Sequence, residues 1–375
     1  MTAMSRLSPG SPYSDCNLFG KKIMHNYPVI TDRKIRLALV GCGRIAANHF
    51  GAMEQHADRV EIVDVCDTDP VALDKAVKRT GANGHGNLTD LLKTTTADLV
   101  VLTTPSGLHS EQAIEIAASG RHVVTEKPMA TRWHDGLRMV KACDDARVRL
   151  FVVKQNRRNA TLQLLKNAVE KKRFGRIYMV NINVFWTRPQ DYYDSAKWRG
   201  TWEFDGGAFM NQASHYVDLL DWLIGPIESL QAYMGTLERD IEVEDTGVLS
   251  VRWRSGALGS MNVTMLTYPK NLEGSITILG EKGTVRIGGV AVNEIQHWEF
   301  AEKLPEDDEI STANYETTSV YGFGHPLYYD NMIKVMRGEA EPETDGREGL
   351  KSLETLIAAY LSARDGKRIA LPLDY

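Results

Sequence analysis

Short apolar runs rich in β-branched residues alternate with amphipathic segments through the first half of the chain. The strand-like runs are residues 35–40, 60–66, 98–103, 121–125 and 149–153. Helical spacing of apolar positions falls between them, at residues 45–53, 109–119 and 133–146. Strands that are apolar on both faces and separated by helices are typical of a parallel sheet covered by helices. The pattern predicts an α/β domain over residues 34–155.

The second half of the chain has longer strands joined by tight turns. Its strand-like segments are residues 177–187, 228–238, 246–254, 257–266, 275–279 and 284–287. Helical segments are expected at residues 160–172, 211–223, 328–337 and 349–363, and a loop at the acidic residues 304–312. Glycine-containing turns between paired strands are hairpin signals. We therefore predict an α+β domain over residues 156–375, an open, mostly antiparallel sheet flanked by helices. Residues 369–372 are expected to close this sheet, and the C-terminal segment can pack back on the first domain.

Composition narrows the class of protein without identifying it. The chain has 375 residues, 43% of them hydrophobic and 25% charged, which is typical of a globular protein with two domains. A net charge of -5 does not indicate a nucleic-acid-binding protein, and no apolar run reaches the length of a membrane span. Four cysteines without metal-ligand spacing predict no metal site and favour a reducing, cytoplasmic location. Residues 1–33 are expected to be a disordered tail, or an over-long gene start with Met24 as the true one.

A glycine loop follows the first predicted strand directly. Gly41, Gly43 and Ala46 have the spacing G-x-G-x-x-A, with Arg44 and Ile45 between the last two. Gly41 allows the tight turn, Gly43 lets the backbone approach a pyrophosphate, and the helix N-terminus offers free N–H groups. Because the loop lies between a strand and a helix, it predicts a Rossmann dinucleotide-binding domain.

An acidic residue closes the second predicted strand. Asp67 lies about twenty-four positions after Gly43, close to the separation of ~20 expected for the carboxylate that binds the adenosine ribose. A carboxylate there accepts from the 2′-hydroxyl and repels a 2′-phosphate, which favours NAD over NADP. The alternative is a helix N-cap ahead of Pro70, although Asp69 is better placed for that.

Glu126, Lys127 and Pro128 follow the strand at residues 121–125. The proline restricts Lys127 to extended conformations, and an X-Pro bond can be cis where a tight turn needs it. An ammonium group held beside a nicotinamide ring can bind and help deprotonate a substrate hydroxyl. A solvated surface turn is the alternative. Thr104, Lys127 and Gln155 all follow strand ends, where ligands collect in such sheets.

Residues 206–218 carry the second candidate for acid–base chemistry. Asn211 and His215 are four positions apart, hence on one helix face, and two glycines ahead of them allow close approach of a ligand. A histidine so placed can accept a proton near neutral pH. The alternative is a core histidine that is paired with Asp218 or Asp221.

A stretch that mixes basic and aromatic side chains precedes this helix. Arginines suit carboxylate and phosphate groups, whereas aromatic rings suit sugar or uracil faces. The alternative is an ordinary solvated loop. The candidates for substrate binding are Arg188, Tyr192, Trp198 and Arg199 in this stretch, and Gln155, Asn156 and Arg157 after the last strand of the first domain.

Together these motifs resemble the Gfo/Idh/MocA oxidoreductase family over residues 34–375. The elements that carry the resemblance are the glycine loop, Thr104-Pro105 with His109, Glu126-Lys127-Pro128, and residues 206–215. The resemblance implies NAD as cofactor, catalytic roles for Lys127 and His215, cofactor contacts from Pro105, His109 and Glu126, and homo-oligomers, dimers or tetramers, formed through the C-terminal sheets.

One position departs from the family pattern. The family usually has Asp four positions before the histidine and Gly two before it, where this chain has Asn211 and Ala213. A neutral amide cannot relay a proton as a carboxylate would. Asn211 is therefore expected to orient a substrate hydroxyl.

Residues 185–215 resemble one branch of the family, the UDP-N-acetylglucosaminuronate 3-dehydrogenases of bacterial O-antigen (lipopolysaccharide) synthesis. The resemblance implies oxidation of the sugar C3 hydroxyl by NAD⁺, with 2-oxoglutarate as a candidate acceptor that reoxidises NADH. A dehydrogenase of a free sugar, polyol or inositol is the second interpretation, and a non-catalytic NAD-binding regulator is the third.

Overall fold

The structure, a computed structural model, describes residues 27–317, 320 and 322–373. A disordered tail was predicted for residues 1–33, and residues 1–26 of it lie outside this part of the chain. The prediction is wrong for residues 27–33, which lie against the first domain. The amide of Ile30 donates to the carbonyl of Met336 at 3.0 Å, and Arg33 pairs with Asp98 at 2.7 Å.

The first domain is a parallel sheet of six strands with helices on both faces. Its strands are β1 Ile35–Val40, β2 Val60–Cys66, β3 Asn83–His85, β4 Leu99–Leu102, β5 His122–Thr125 and β6 Leu150–Val152. Its helices are α1 Ala46–Glu54, α2 Pro70–Thr80, α3 Leu88–Thr94, α4 His109–Ala118 and α5 Trp133–Asp145. The strand order 3-2-1-4-5-6 is that of a Rossmann fold, so the predicted class is confirmed.

The second domain is built on a sheet of eight strands. They are β7 Ile177–Phe185, β8 Ile227–Gly235, β9 Thr246–Trp253, β10 Leu258–Thr264, β11 Glu273–Gly280, β12 Gly283–Gly288, β13 Glu294–Phe300 and β14 Ile369–Ala370. Their order is 13-12-11-7-10-9-8-14. Only the β10–β7 pair is parallel, so the predicted mostly antiparallel sheet is confirmed.

Strand β13 and the acidic segment at residues 304–312 differ from the prediction. Strand β13 was not predicted, because at this sheet edge only Ile295 of its seven residues is fully buried and the alternating pattern is weak. The acidic segment expected to be a loop forms a short 3₁₀ helix, Pro305–Glu309, followed by α9 Ile310–Ala313.

The remaining helices cover one face of the sheet and join the two domains. They are α6 Ala160–Glu170, α7 Gln190–Asp194, α8 Ser214–Ile224, α10 Gly324–Met336 and α11 Gly346–Asp365. Helix α10 completes the core of the first domain, where Tyr329 and Ile333 join Leu37 and Phe50 in one buried cluster. In the described part of the chain, no helix combines the length and apolar character needed to cross a bilayer.

Candidate active site

A cleft of about 650 Å³ opens at the carboxyl ends of strands β1, β2, β4 and β5. Parallel sheets of this order bind ligands at this edge. The predicted residues that line the cleft are Gly41, Gly43, Arg44, Ile45, Asp67, Thr104, Pro105, Glu126, Lys127, Tyr192, Trp198, Arg199 and Asn211. The structure therefore brings together the glycine loop, the strand-end lysine and the basic-aromatic stretch.

The glycine loop has the geometry that a pyrophosphate requires. Gly41 has a φ of +95°, and a Cβ there would lie 2.8 Å from the backbone of Thr103. At Gly43 no described atom lies within 4 Å of the position that a Cβ would take, so the backbone borders open space. Helix α1 begins just after Ile45 without a side-chain cap, which leaves its first N–H groups available to an anion.

Asp67 lines the cleft next to the glycine loop, directly after the end of β2. One carboxylate oxygen accepts from the amide of Cys42 at 2.6 Å, and the other accepts from the amide of Asp69 at 2.8 Å. These bonds hold the carboxylate beside the glycine loop while lone pairs remain for a ribose. Asp69 caps α2 by accepting from the amide of Val71 at 2.9 Å, as predicted.

His109 does not reach the wall of the cleft, contrary to the expectation of a cofactor contact. It is buried, with Nδ1 2.9 Å from the carbonyl of Pro128 and Nε2 2.9 Å from the carbonyl of Thr104. Burial lowers the pKa of His109, and the two backbone carbonyls oppose that shift because only the charged ring can donate to both. His109 thus holds together the two loops that carry Thr104 and Lys127.

Glu126 is anchored below the cleft by two histidines from other elements. His49 on α1 lies 3.0 Å from its Oε1, and Nε2 of His325 on α10 lies 3.9 Å from the same oxygen. Burial by itself would raise the pKa of Glu126, but the two imidazoles and the Lys127 charge together hold it well below its ordinary value. One ligand atom from each of these three residues lies within 4.8 Å of the other two, a spacing that one metal ion could bridge, although His49 and Glu126 already satisfy each other.

Lys127 reaches across the cleft to the second domain. The Lys127–Pro128 peptide is cis, and Nζ donates to the backbone carbonyl of Asn211 at 3.2 Å and to its Oδ1 at 3.5 Å. The segment that carries Asn211 is not the regular helix start that the sequence predicted. Residues Ala208–Gln212 form a π-helical turn, and α8 begins at Ser214. Such turns are frequent at functional sites.

His215 lies behind this contact, in the first turn of α8. Its Nε2 is 3.0 Å from the amide nitrogen of Gln155. Burial, followed by the positive charges of Lys127 and Lys154, holds the pKa of His215 well below 6.5. The imidazole is therefore neutral at pH 7, and it is not paired as a core histidine with Asp218 or Asp221 as the alternative interpretation required.

Lys154 was not singled out from the sequence, although it follows β6 as Lys127 follows β5. It is buried, with Nζ 2.5 Å from the hydroxyl of Ser352 and 3.4 Å from Asp218. Burial lowers its pKa, and the Asp218 carboxylate opposes that shift. Its position after a strand end was the available signal.

Arg157 does not meet the expectation of an anion-binding residue in the cleft. Its guanidinium forms a bidentate pair with Asp218 at 2.6 and 2.8 Å and reaches Glu348 at 3.2 Å. Asn156 is buried beside it, and its Oδ1 has no partner among the residues that the structure describes. The charge of Arg157 is therefore already paired within the protein. Its bonds to Asp218 and Glu348 stabilise the contact between the two domains.

The basic-aromatic stretch forms the outer wall of the cleft. The Arg199 guanidinium lies over the rings of Tyr192 and Trp198, at 4.4 and 4.6 Å from their centroids. It also donates to the hydroxyl of Tyr192 at 2.6 Å. Arg188 lies outside the wall and donates to the carbonyl of Thr187 at 2.7 Å. A planar cation between two rings suits a sugar or base together with an acidic group.

A dinucleotide-type glycine loop, an acid after β2 and a lysine after β5 meet at one sheet edge, with a buried neutral histidine behind the lysine, and this combination is typical of NAD-dependent dehydrogenases. The chain belongs to the Gfo/Idh/MocA oxidoreductase family. Residues 35–154 match its NAD-binding Rossmann-fold domain, and residues 166–371 match its C-terminal alpha/beta domain. The predicted family and NAD as cofactor are confirmed.

Two solved structures resemble this chain over almost its whole length. The WlbA dehydrogenase from Chromobacterium violaceum, in complex with NADH and UDP-GlcNAcA, is 76% identical, with 93% of this chain and 99% of that chain covered and a TM-score of 0.90. The WlbA dehydrogenase from Bordetella pertussis, with the same two ligands, is 72% identical over 92% and 100% of the chains, also with a TM-score of 0.90. A D-apiose dehydrogenase from Paraburkholderia graminis is 25% identical over 91% of each chain.

Proposed function

We propose that this protein oxidises UDP-N-acetylglucosaminuronic acid with NAD⁺, at the C3 hydroxyl of the sugar. One observation carries the proposal: two dehydrogenases of known structure, 76% and 72% identical to this chain, are bound to NADH and this nucleotide sugar. The wall formed by Arg199, Tyr192 and Trp198 fits a ligand with an acidic group, a sugar and a base. The C3 position follows from the resemblance to the 3-dehydrogenases.

Lys127 and His215 divide the acid–base work in the proposed reaction. Bound NAD⁺ accepts the hydride from the carbon that bears the hydroxyl. Burial, together with the charge of Lys154, disfavours protonation of His215 even when Lys127 is the neutral amine, so the neutral ring serves to hold the hydroxyl. Lys127, as the neutral amine, takes the hydroxyl proton and becomes an ammonium that donates to the two oxygens of Asn211. The alcohol thereby loses one hydride and one proton and becomes a ketone.

The first test is NADH formation at 340 nm with purified protein, NAD⁺ and UDP-N-acetylglucosaminuronic acid, with the sugar followed by mass. We expect the sugar to lose two hydrogens. Lys127→Ala should abolish turnover and retain NADH binding, whereas Lys303→Ala, which alters an exposed lysine that pairs with Asp308, should behave as wild type. An unchanged sugar contradicts the nucleotide-sugar proposal and favours a free sugar, polyol or inositol. Near-wild-type turnover by Lys127→Ala contradicts the assignment of Lys127.

2-Oxoglutarate is the candidate acceptor that reoxidises bound NADH, and release of NADH is the alternative. Reoxidation in place predicts that turnover without the keto acid stops after about one equivalent of sugar per active site, and that added 2-oxoglutarate restores it. Free NADH that accumulates over many turnovers without the keto acid would contradict this part.

We place the reaction in the cytoplasm, in the synthesis of a lipopolysaccharide O-antigen sugar, since a nucleotide sugar and NAD⁺ are both available there.

The proposal includes a dimer or tetramer formed through the C-terminal sheets. The face of the sheet that the described helices leave open exposes large apolar side chains, among them Tyr233 at 70%, Met179 at 51% and Leu258 at 46%. Exposed apolar patches of this kind mark interaction surfaces. Light scattering after size exclusion should give a multiple of the 41.9 kDa chain mass. A Tyr233→Glu variant should shift it toward the monomer, and a wild-type monomer would contradict the proposal.

A further inference from the structure

Asn211 stands where the family usually has an aspartate, but a carboxylate reaches the same place from another part of the chain. The amide nitrogen of Asn211 donates a short hydrogen bond to Oδ1 of Asp205, six residues earlier. On its other side, the carbonyl and Oδ1 of Asn211 accept from Nζ of Lys127. Asn211 therefore lies between the strand-end lysine and a carboxylate that the sequence motif does not include.

This arrangement determines which way the Asn211 amide points. An ionised carboxylate can only accept hydrogen bonds, so the side of the amide that faces Asp205 must be the NH₂ group. The amide oxygen is then directed at Nζ of Lys127, whose N–H groups donate to it. A second carboxylate at position 211 would instead meet Asp205 at hydrogen-bond distance, where two negative charges repel.

Asp205 is built into the fold at this position. It is 1% exposed, and its Oδ2 accepts from the amide of Gly200 at 2.7 Å. The loop that carries it turns at Gly200 and Gly206, whose φ values are +69° and +75°. A Cβ at Gly206 would lie 2.4 Å from the Met210 side chain, so the close approach of this loop to the π-helical turn depends on glycine.

We propose that Asp205 is a positioning residue for the dehydrogenase reaction: through Asn211 it orients Lys127 and stabilises the ammonium that forms when Lys127 takes the substrate proton. The proposal rests on the proposed function, in which Lys127 is the base. It also explains the departure at position 211, since the negative charge of the site has moved from the helix to the preceding loop and the amide transmits it.

The charges that surround Asp205 agree with this role. Burial raises its pKa to about 6, against the opposing effect of the Gly200 and Asn211 N–H groups and of the cations Arg199 and Lys127. The other titratable groups that face it are the carboxyl of Glu244 and the hydroxyl of Tyr193. Asp205 is therefore ionised at the pH at which a lysine amine would act, and it gains a proton as the pH falls through about 6.

The test exchanges the two side chains. Asp205→Asn should lower kcat by about 10- to 100-fold with little change in the NADH Kd, because the ammonium formed in the reaction loses its counter-charge. Its pH–rate profile should shift to lower pH, since a lysine without a nearby anion releases its proton more easily. The double variant Asp205→Asn with Asn211→Asp keeps one carboxylate and one amide in contact. It should recover kcat to within about five-fold of wild type. Asp194→Asn, an exposed carboxylate on α7, is the matched control.

A second measurement separates this proposal from the choice of substrate. Competitive acetylation of Lys127, measured by peptide mass, needs no sugar. Its rate reports how readily the Lys127 ammonium loses its proton to give the reactive amine. Asp205→Asn should raise the labelling rate of Lys127 by about three- to ten-fold at pH 8, and the exchanged pair should return it close to wild type. If the two variants change the labelling of Lys127 as expected but the wild type does not oxidise the sugar, the substrate assignment fails and the role of Asp205 stands. Wild-type labelling in Asp205→Asn, or an exchanged pair as impaired as the single variant, would overturn the proposal.

Discussion

Nε2 of His49 donates a hydrogen bond to Oε1 of Glu126 at 3.0 Å, which ties the first helix of the nucleotide domain to the turn that presents Lys127. Because ionised Glu126 can only accept, Nε2 carries a proton. Nδ1 of the same ring lies 2.8 Å from the hydroxyl of Tyr329 on α10. Three separate elements thus meet in one buried hydrogen-bond network beneath the cleft.

His49→Ala should destabilise the fold and disturb the site together. Removing the imidazole takes a hydrogen bond from the buried Glu126 carboxylate and leaves only His325 and the Lys127 charge to stabilise it, so we expect a loss of about 2–4 kcal/mol in the free energy of unfolding. Urea unfolding followed by circular dichroism measures it, and kcat should fall because Lys127 is adjacent to Glu126. His297→Ala, on the exposed strand β13, is the control. A His49→Ala protein with the wild-type urea midpoint would contradict the role of this network.

Motifs that are local in sequence were predictable, and contacts between distant segments were not. The glycine loop, the strand-end Lys127 and the Asp69 cap each depend on neighbouring residues, and the structure places all three as expected. By contrast, His49 meets Glu126 across 77 positions. Nothing in a helix of mixed polarity marks such a partner in advance.

Two of the errors have the same physical origin. Arg157 was expected to bind an anionic group of the substrate because an arginine suits such groups. Its anionic partner is instead Asp218 of the same protein, 61 positions away. Asn211 lines the cleft, but the carboxylate that we propose takes the place of the family's aspartate was not singled out. Asp205 lies six positions earlier and reaches Asn211 only because the loop turns at glycines.

Gly41 and Gly43 should fail in different ways when replaced by alanine. At Gly41 a Cβ meets the backbone of Thr103 at 2.8 Å and φ is +95°, so Gly41→Ala should lower the free energy of unfolding by about 2–3 kcal/mol. At Gly43 the Cβ has room in the protein but would stand where the backbone approaches a pyrophosphate. Gly43→Ala should therefore keep its Tm and weaken NADH binding by about ten-fold or more. Thermal unfolding and fluorescence titration separate the two, and NADH affinity unchanged in Gly43→Ala would contradict the placement of the pyrophosphate.

Asp67 and Asp69 form a matched pair for cofactor specificity. Asp67→Ala removes the carboxylate proposed to bind the ribose, so the NADH Kd should rise about 10- to 100-fold, and the preference over NADPH should diminish. Asp69→Ala removes only the cap of α2, which should cost about 1 kcal/mol in stability with the NADH to NADPH ratio unchanged. Titrations with both reduced cofactors measure the ratio. An Asp67→Ala protein that still excludes NADPH would show that another group reads the 2′ position.

The raised pKa of Glu244 predicts that the stability of the fold depends on pH, and its buried surroundings determine the sign of that dependence. Its Oε1 accepts from the Tyr360 hydroxyl and from the amide of Phe209, both at 2.9 Å, while Oε2 is buried without a partner among the described residues. Burial raises the pKa of Glu244 to about 7, against the effect of these bonds. Between its ordinary pKa of 4.5 and about 7, the unfolded chain has lost this proton and the folded chain keeps it, so stability falls as the pH rises through this window.

Glu244→Gln removes that dependence, because an amide does not ionise. We expect the wild type to lose up to about 3 kcal/mol relative to Glu244→Gln between pH 4.5 and pH 7.5. Urea unfolding of both proteins across this range measures the difference. Glu238→Gln replaces an exposed carboxylate and should track the wild type at every pH. A constant difference between wild type and Glu244→Gln would mean that Glu244 ionises in the fold as easily as in the unfolded chain.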